Sequence, residues 1–175
     1  MSQPTRLDRH WEPDDVLGLP DDGNRYEIVD GRLRVSPSPS WRHNRVAFEV
    51  GVQLQRVVPS GLSVVVPGGG IVTPQAYLIP DLAVVEAAQA VQPGHRAAPA
   101  SVRLVLEVAS PSSALDDVLD KAELYAEAAI VSYWRVELDP EPVLIVAELR
   151  GGRYVEVVRG KTVTVRQPYP VTVSL

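Results

Sequence analysis

Cysteine is absent from the chain, which excludes disulfides, thiolate nucleophiles and cysteine-ligated zinc. Histidine is nearly as scarce, and His10, His43 and His95 stand too far apart to form a local zinc motif. No apolar run approaches the roughly 20 residues needed to cross a bilayer, and the opening MSQPTRLDRHWEPDD lacks the apolar core of a secretory signal. A cytoplasmic protein with no membrane partner is the expectation. No G-x-S-x-G elbow occurs, and GGG at 68–70 lacks the lysine and hydroxyl of a phosphate loop, so it is expected to be a turn.

Positive charge is also in short supply. The net charge of -5 and a pI near 5.2 argue against a protein that coats nucleic acid through bulk attraction. The distribution is uneven, however: residues 25–60 carry six basic groups against three acids, and residues 101–137 carry three against seven. One region could face phosphate while another gathers cations, although a solvated surface would show the same pattern.

What the chain does have is 175 residues with a hydrophobic fraction of 45%, enough for one domain over 1–175. RYEIVDGRLRVS reads as a hairpin about Asp30-Gly31, a dipeptide suited to a type I′ turn. Ser40 is placed to cap a helix running to about Val58, with Val46, Val50, Leu54 and Val57 on one face. Short strands are expected at 63–66, 71–73 and 81–86, and the Ala/Pro/Gln-rich stretch 87–100 reads as a mobile connection. SVRLVLEVA is a strand with Glu107 on the face of Arg103, Val105 and Ala109. Ser113 then caps a helix whose stripe is Leu115, Val118, Leu119, Ala122 and Ala126, and a strand at 130–138 follows. These elements predict a mixed α/β fold with two main helices on a sheet, a core at about 25–138, an N-terminal hairpin, and a β-rich C-terminal extension at 142–175. The extension, with five basic groups against two acids, could lengthen the sheet, clamp a substrate or form a dimer interface.

A carboxylate on a buried strand is costly unless it is paired, hydrogen-bonded or holding a metal. The simpler reading pairs Glu107 with Arg103. Asp81, however, opens another strand among small and apolar same-face neighbours, Ala83 and Val85. If the two strands pair, two carboxylates converge, and such oxygen ligands suit magnesium or manganese. Lys121 lies four residues after Asp117, which allows a surface ion pair, or else a lysine that returns over the sheet to orient a water. Tyr125, Tyr133 and Trp134 fall at apolar periodic positions and read as packing rather than as a base-stacking platform.

RYEIVDG at 25–31, SPSPSWRHNRV at 36–46, IPDLAVV at 79–85 and EVASPSSALDDVLDKAELYAEAAIVSYWRVE at 107–137 resemble the Uma-two family of restriction-endonuclease-like proteins, a branch of the PD-(D/E)XK nuclease superfamily. The resemblance implies a restriction-endonuclease-like sheet and a metal-dependent endonuclease that hydrolyses nucleic-acid phosphodiester bonds, with DNA as partner, Mg2+ or Mn2+ as cofactor, and a homodimer suited to cutting two strands. It assigns Asp81, Glu107 and the backbone carbonyl of Val108 to the metal, Lys121 to the attacking water, and Glu27 and His43 to auxiliary roles, with Glu49 competing for the third acid. The superfamily places its lysine two residues after the glutamate; Ala109 stands there, and Lys121 takes the position migrated onto the helix. Ser113 replaces a usual threonine, Ala129-Ile130 a usual Gly-Val turn, and Glu137 a usual aspartate. The alternative is a catalytically silent nuclease-fold protein that acts by binding nucleic acid or a protein.

Overall fold

A computed structural model describes residues 10–67, 69–94, 96–109 and 115–175, the side chains of residues 115–119 excepted. In chain order the elements are a 3-10 helix η1 (Pro13–Gly18), β1 (Arg25–Val29), β2 (Arg32–Ser36), α1 (Trp41–Gln55), β3 (Leu62–Val65), β4 (Gly70–Val72), β5 (Tyr77–Leu78), β6 (Leu82–Glu86), α2 (Ala87–Ala90), β7 (Arg96–Ala97), η2 (Pro99–Ser101), β8 (Val102–Ala109), α3 (Leu115–Glu127), β9 (Ser132–Glu137), β10 (Val143–Arg150), β11 (Arg153–Gly160), β12 (Thr162–Val165) and β13 (Val171–Ser174).

The central sheet has six strands in the order β11-β10-β9-β8-β6-β3. Its pairs are antiparallel except β8 with β9, which are parallel and need the crossover that α3 supplies. A five-stranded sheet, β2-β1-β5-β4-β7, and a β12-β13 hairpin complete the architecture. It is the expected mixed α/β fold with two main helices. The C-terminal extension splits in two: β10 and β11 lengthen the central sheet beside β9, while β12 and β13 pack their valines into the α1 side of the core.

The alternation of β8 organises the interior. Leu104, Leu106 and Val108 face a core shared with Ala47, Val50 and Leu54 of α1, with Trp134 and with the β12-β13 hairpin. Val105 and Ala109 face the other way, into a core with Ala83, Val85, Tyr125, Tyr133 and residues of the five-stranded sheet. Each large side chain buried in these layers contributes about 1.5–3 kcal/mol. Glu107 belongs by alternation to the second face, so the chain that builds this core also places a carboxylate in it.

Local signals account for the elements that frame the site. Asp30 and Gly31 both take positive φ, 49° and 69°, as a type I′ hairpin demands. The Ser40 side chain accepts from the His43 N–H at 3.3 Å, which starts α1 and fixes His43 in its first turn. The helix stops at Gln55 rather than Val58, and Val57 is exposed instead of joining the buried stripe. The stretch 87–100 is not a bare connection, since it carries α2, β7 and the start of η2. Neither η1 nor β5 was legible in the sequence. The strand expected from residue 130 begins at Ser132, because Ala129 takes φ 59° and the Ile130 N–H closes onto the Tyr125 carbonyl. The expected cap at Ser113 and the side chains of Leu115, Val118 and Leu119 lie outside the described residues. No helix among the described residues is long and apolar enough to cross a membrane.

Candidate metal centre

Asp81 immediately precedes β6, and its N–H donates to the Leu106 carbonyl at 3.0 Å, tying it to β8. Its Oδ2 accepts from the Val108 N–H at 2.8 Å. In an antiparallel arrangement the N–H and C=O of one residue face the same neighbour, so the Val108 carbonyl is turned to the Asp81 side as well. His43 reaches the same carboxylate from α1, with Nε2 2.9 Å from Oδ2 but off the line of a hydrogen bond. Arg25, the first residue of β1, holds Oδ1 at 2.9 Å.

Glu107 does not pair with Arg103, whose guanidinium is bound to Glu86. Its Oε1 accepts from the Tyr125 hydroxyl at 2.8 Å and lies 3.6 Å from Lys121 Nζ. Lys121 and Tyr125 are four residues apart and so share one face of α3, which carries both back to the strand that precedes the helix. Lys121 is buried and bridges Glu107 to Glu27, whose Oε1 is 2.8 Å from Nζ; the side chain of Asp117, the surface partner its spacing allowed, lies outside the described residues. Glu27 Oε1 also accepts from the Ile79 N–H at 2.7 Å. Glu27, although on a hairpin strand, is buried, held between Lys121 of α3 and the Ile79 N–H just after β5. Glu49 is exposed and paired to Arg45 at 2.8 Å, apart from this cluster.

Glu27, Asp81, Glu107 and Lys121 are each 3 or 4% exposed, and His43 is 8% exposed. Water therefore screens little, and the charges act on one another. Burial is the largest influence on Glu107; Lys121 opposes it, Asp81 and Glu27 reinforce it, and the carboxyl is pushed up to about 8. Lys121 fails to offset burial because its ammonium is nearer to Glu27. Burial also acts on Asp81, but the His43 imidazole, the Arg25 guanidinium and the Val108 N–H outweigh it and hold this carboxyl below its ordinary range. Lys121 itself is raised: burial opposes its charge, and Glu107 and Glu27 more than compensate.

Among the described residues no group of three or more His, Asp or Glu side chains is already arranged as a metal cage. The donor set nevertheless fits a hard divalent cation. Three buried carboxylates are held by a strand end, a strand interior and a hairpin, a backbone carbonyl is turned toward the first, and one carboxylate is driven up in part by the charges of the other two. Two residues at the site escaped sequence reasoning. Arg25 sits two positions before Glu27 on the same strand face, a spacing that could have flagged it; Tyr125 follows Lys121 by one helical turn, but its apolar neighbours made it read as packing alone.

A family model described as "Putative restriction endonuclease" matches residues 13–175. The chain belongs to this family, Uma2. No curated protein matches it significantly. A solved structure titled as a putative nuclease belonging to DUF820, from Anabaena variabilis, superposes with a TM-score of 0.70 at 17% identity, over 90% of this chain and 89% of that one. At that identity the Uma2 chain and its structural relative share a fold.

Proposed function

We propose that this Uma2 protein is a metal-dependent nuclease that hydrolyses phosphodiester bonds, with DNA as substrate. The observation that carries the reading is the meeting of Asp81, Glu107, Glu27 and Lys121 in one buried cluster, by way of elements distant in sequence. Asp81, Glu107 and the Val108 carbonyl would hold Mg2+ or Mn2+, with Glu27 beside them as the auxiliary acid. A cation bound there supplies Lewis-acid activation of water and stabilises charge on the phosphate oxygens. Lys121 donates to the attacking water and keeps its oxygen directed at phosphorus. Tyr125 fixes the Glu107 rotamer, His43 steadies Asp81 from α1, and the surrounding apolar core keeps stray water out. A two-fold pair of chains would suit cleavage of both strands.

The test is purified protein with supercoiled plasmid in Mg2+ or Mn2+, alongside Asp81→Ala and Glu107→Ala. Cleavage by the parent and loss of both cleavage and cation binding in the variants is the expected result. Equal cleavage by either variant would refute the assignment. A second reading, binding without cleavage, is favoured by one observation: both Asp81 oxygens are already engaged by groups of the chain itself. It predicts no calorimetric signal at millimolar cation.

A further inference from the structure

Of the partners that hold Asp81, the Val108 N–H is fixed backbone and His43 sits off the hydrogen-bond line. Arg25 is the permanently charged partner and is bound to Asp81 through its side chain alone. It arrives on a flexible side chain, makes a 2.9 Å ion pair with Oδ1, and is 18% exposed where Asp81 is 4% exposed, so it stands on the solvent side of the carboxylate. Burial acts most strongly on its charge, and Asp81, Glu27 and Glu107 together more than offset that cost. The guanidinium thus lies in the field of all three acids, the field that a divalent cation would require. A cation that takes Oδ1 at about 2.0–2.6 Å leaves no room for the guanidinium along the same direction, and Oδ2 is already held by the Val108 N–H.

We propose that Arg25 is the internal counter-ion of this centre, exchanged for the divalent cation at Asp81 and thereafter a ligand for a non-bridging oxygen of the substrate phosphate. The proposal rests on the metal-dependent reading above and adds a substrate-contacting residue to it. Charge arithmetic supports the exchange. In the metal-free centre Glu107 keeps its proton, so Asp81 and Glu27 balance Arg25 and Lys121; a divalent ion that displaces that proton leaves one surplus positive charge, which matches a phosphodiester. A displaced guanidinium at the solvent side also suits phosphate, whose oxygens it binds in paired N–H···O geometry.

The experiment uses the full-length wild-type chain, with nitrogen-15 in the arginine side chains and carbon-13 in the carboxyl groups, titrated with Mg2+ and then with dimethyl phosphate. The Asp81 carboxyl and Arg25 guanidinium resonances should move together along one saturation curve, and dimethyl phosphate should move Arg25 only when Mg2+ is present. Movement of Asp81 with Arg25 fixed overturns the exchange and spares the metal reading. Movement of neither overturns the metal reading and the exchange together. Indifference of Arg25 to the diester removes its phosphate role. In Arg25→Gln, Mg2+ should bind at least about tenfold more tightly, because one competing charge a few ångström away outweighs a factor of ten at an effective dielectric constant of about 20; weaker binding in a folded variant contradicts the proposal. If that variant does not fold, the wild-type titration decides alone.

Discussion

Lys121 meets Glu107 across the strand-to-helix connection, Nζ to Oε1 at 3.6 Å, although 13 intervening residues separate them in sequence. The helix that follows β8 brings the ammonium back over that strand, to the carboxylate in its interior. A lysine in this place is committed to the site by burial, because its charge has no access to bulk water.

Lys121→Met should therefore keep the aliphatic stem, leave divalent-cation affinity intact or raised, and lower plasmid cleavage by about 100-fold or more, the order for loss of one charge-stabilising donor. It should also destabilise the fold by about 3–5 kcal/mol, since Glu27 is left buried without its cation. Adding Glu27→Gln should restore much of that stability without restoring cleavage. Urea melts and cleavage assays on the single and double variants check both halves, and cleavage within a few-fold of the parent in Lys121→Met contradicts the role given to the lysine.

Metal-free stability should fall as pH rises from about 4.5 to about 8. The Glu107 carboxyl is raised to about 8 by burial in the folded chain. Through this window the unfolded chain has released that proton while the folded chain retains it, so rising pH favours unfolding, by at most about 1.4 kcal/mol per pH unit. Asp81, which is lowered, contributes only below its ordinary value of 3.8, and Lys121, which is raised, only above 10.5, so neither disturbs the window. Urea melts at pH 5, 6, 7 and 8 in a chelator should show the decline in the parent and a flatter profile in Glu107→Gln. Equal slopes in the two proteins would remove Glu107 as the cause.

Much of this centre was legible because the chemistry forces unusual residues into ordinary patterns. An acid on an apolar strand is conspicuous, and both Glu107 and Asp81 stand out in that way. The hairpin and the α1 cap followed from Asp30-Gly31 and Ser40, whose roles are local. Glu27 could not be placed by alternation, because its partners, Lys121 of α3 and the Ile79 N–H, come from elements distant in sequence. Arg25 was missed for the same reason: an arginine at a strand start looks solvent-exposed until a distant carboxylate is brought against it. Tyr125 was assigned to packing, and it does pack; its hydroxyl partner comes from a different element, which no pattern within α3 could disclose.

Tyr125→Phe isolates that hydroxyl. The ring stays buried against Tyr133, with centroids 6.2 Å apart, and only the bond to Glu107 is lost. The cost should be about 1 kcal/mol at pH 6, where Glu107 is protonated, and larger, about 1.5–3 kcal/mol, at pH 9, where the hydroxyl would donate to an ionised acceptor. A cost that does not grow with pH would separate Tyr125 from the charge on Glu107.

Ala129 offers a test independent of the centre. The end of α3 is a Schellman motif: the Ile130 N–H reaches the Tyr125 carbonyl at 3.1 Å, the Ala129 N–H reaches the Ala126 carbonyl at 3.0 Å, and Ala129 between them takes φ 59°. An alanine Cβ in the left-handed region costs roughly 1–2 kcal/mol, whereas glycine is free of that clash and loses some of the gain to its greater freedom when unfolded. Ala129→Gly should therefore stabilise the protein by about 0.5–1 kcal/mol, read as a higher urea midpoint at unchanged slope. Cation affinity should not change, because the substitution relieves the turn after Tyr125 without moving the helix that carries Lys121. A lower midpoint would mean that the helix end is held in this conformation by packing that glycine cannot maintain.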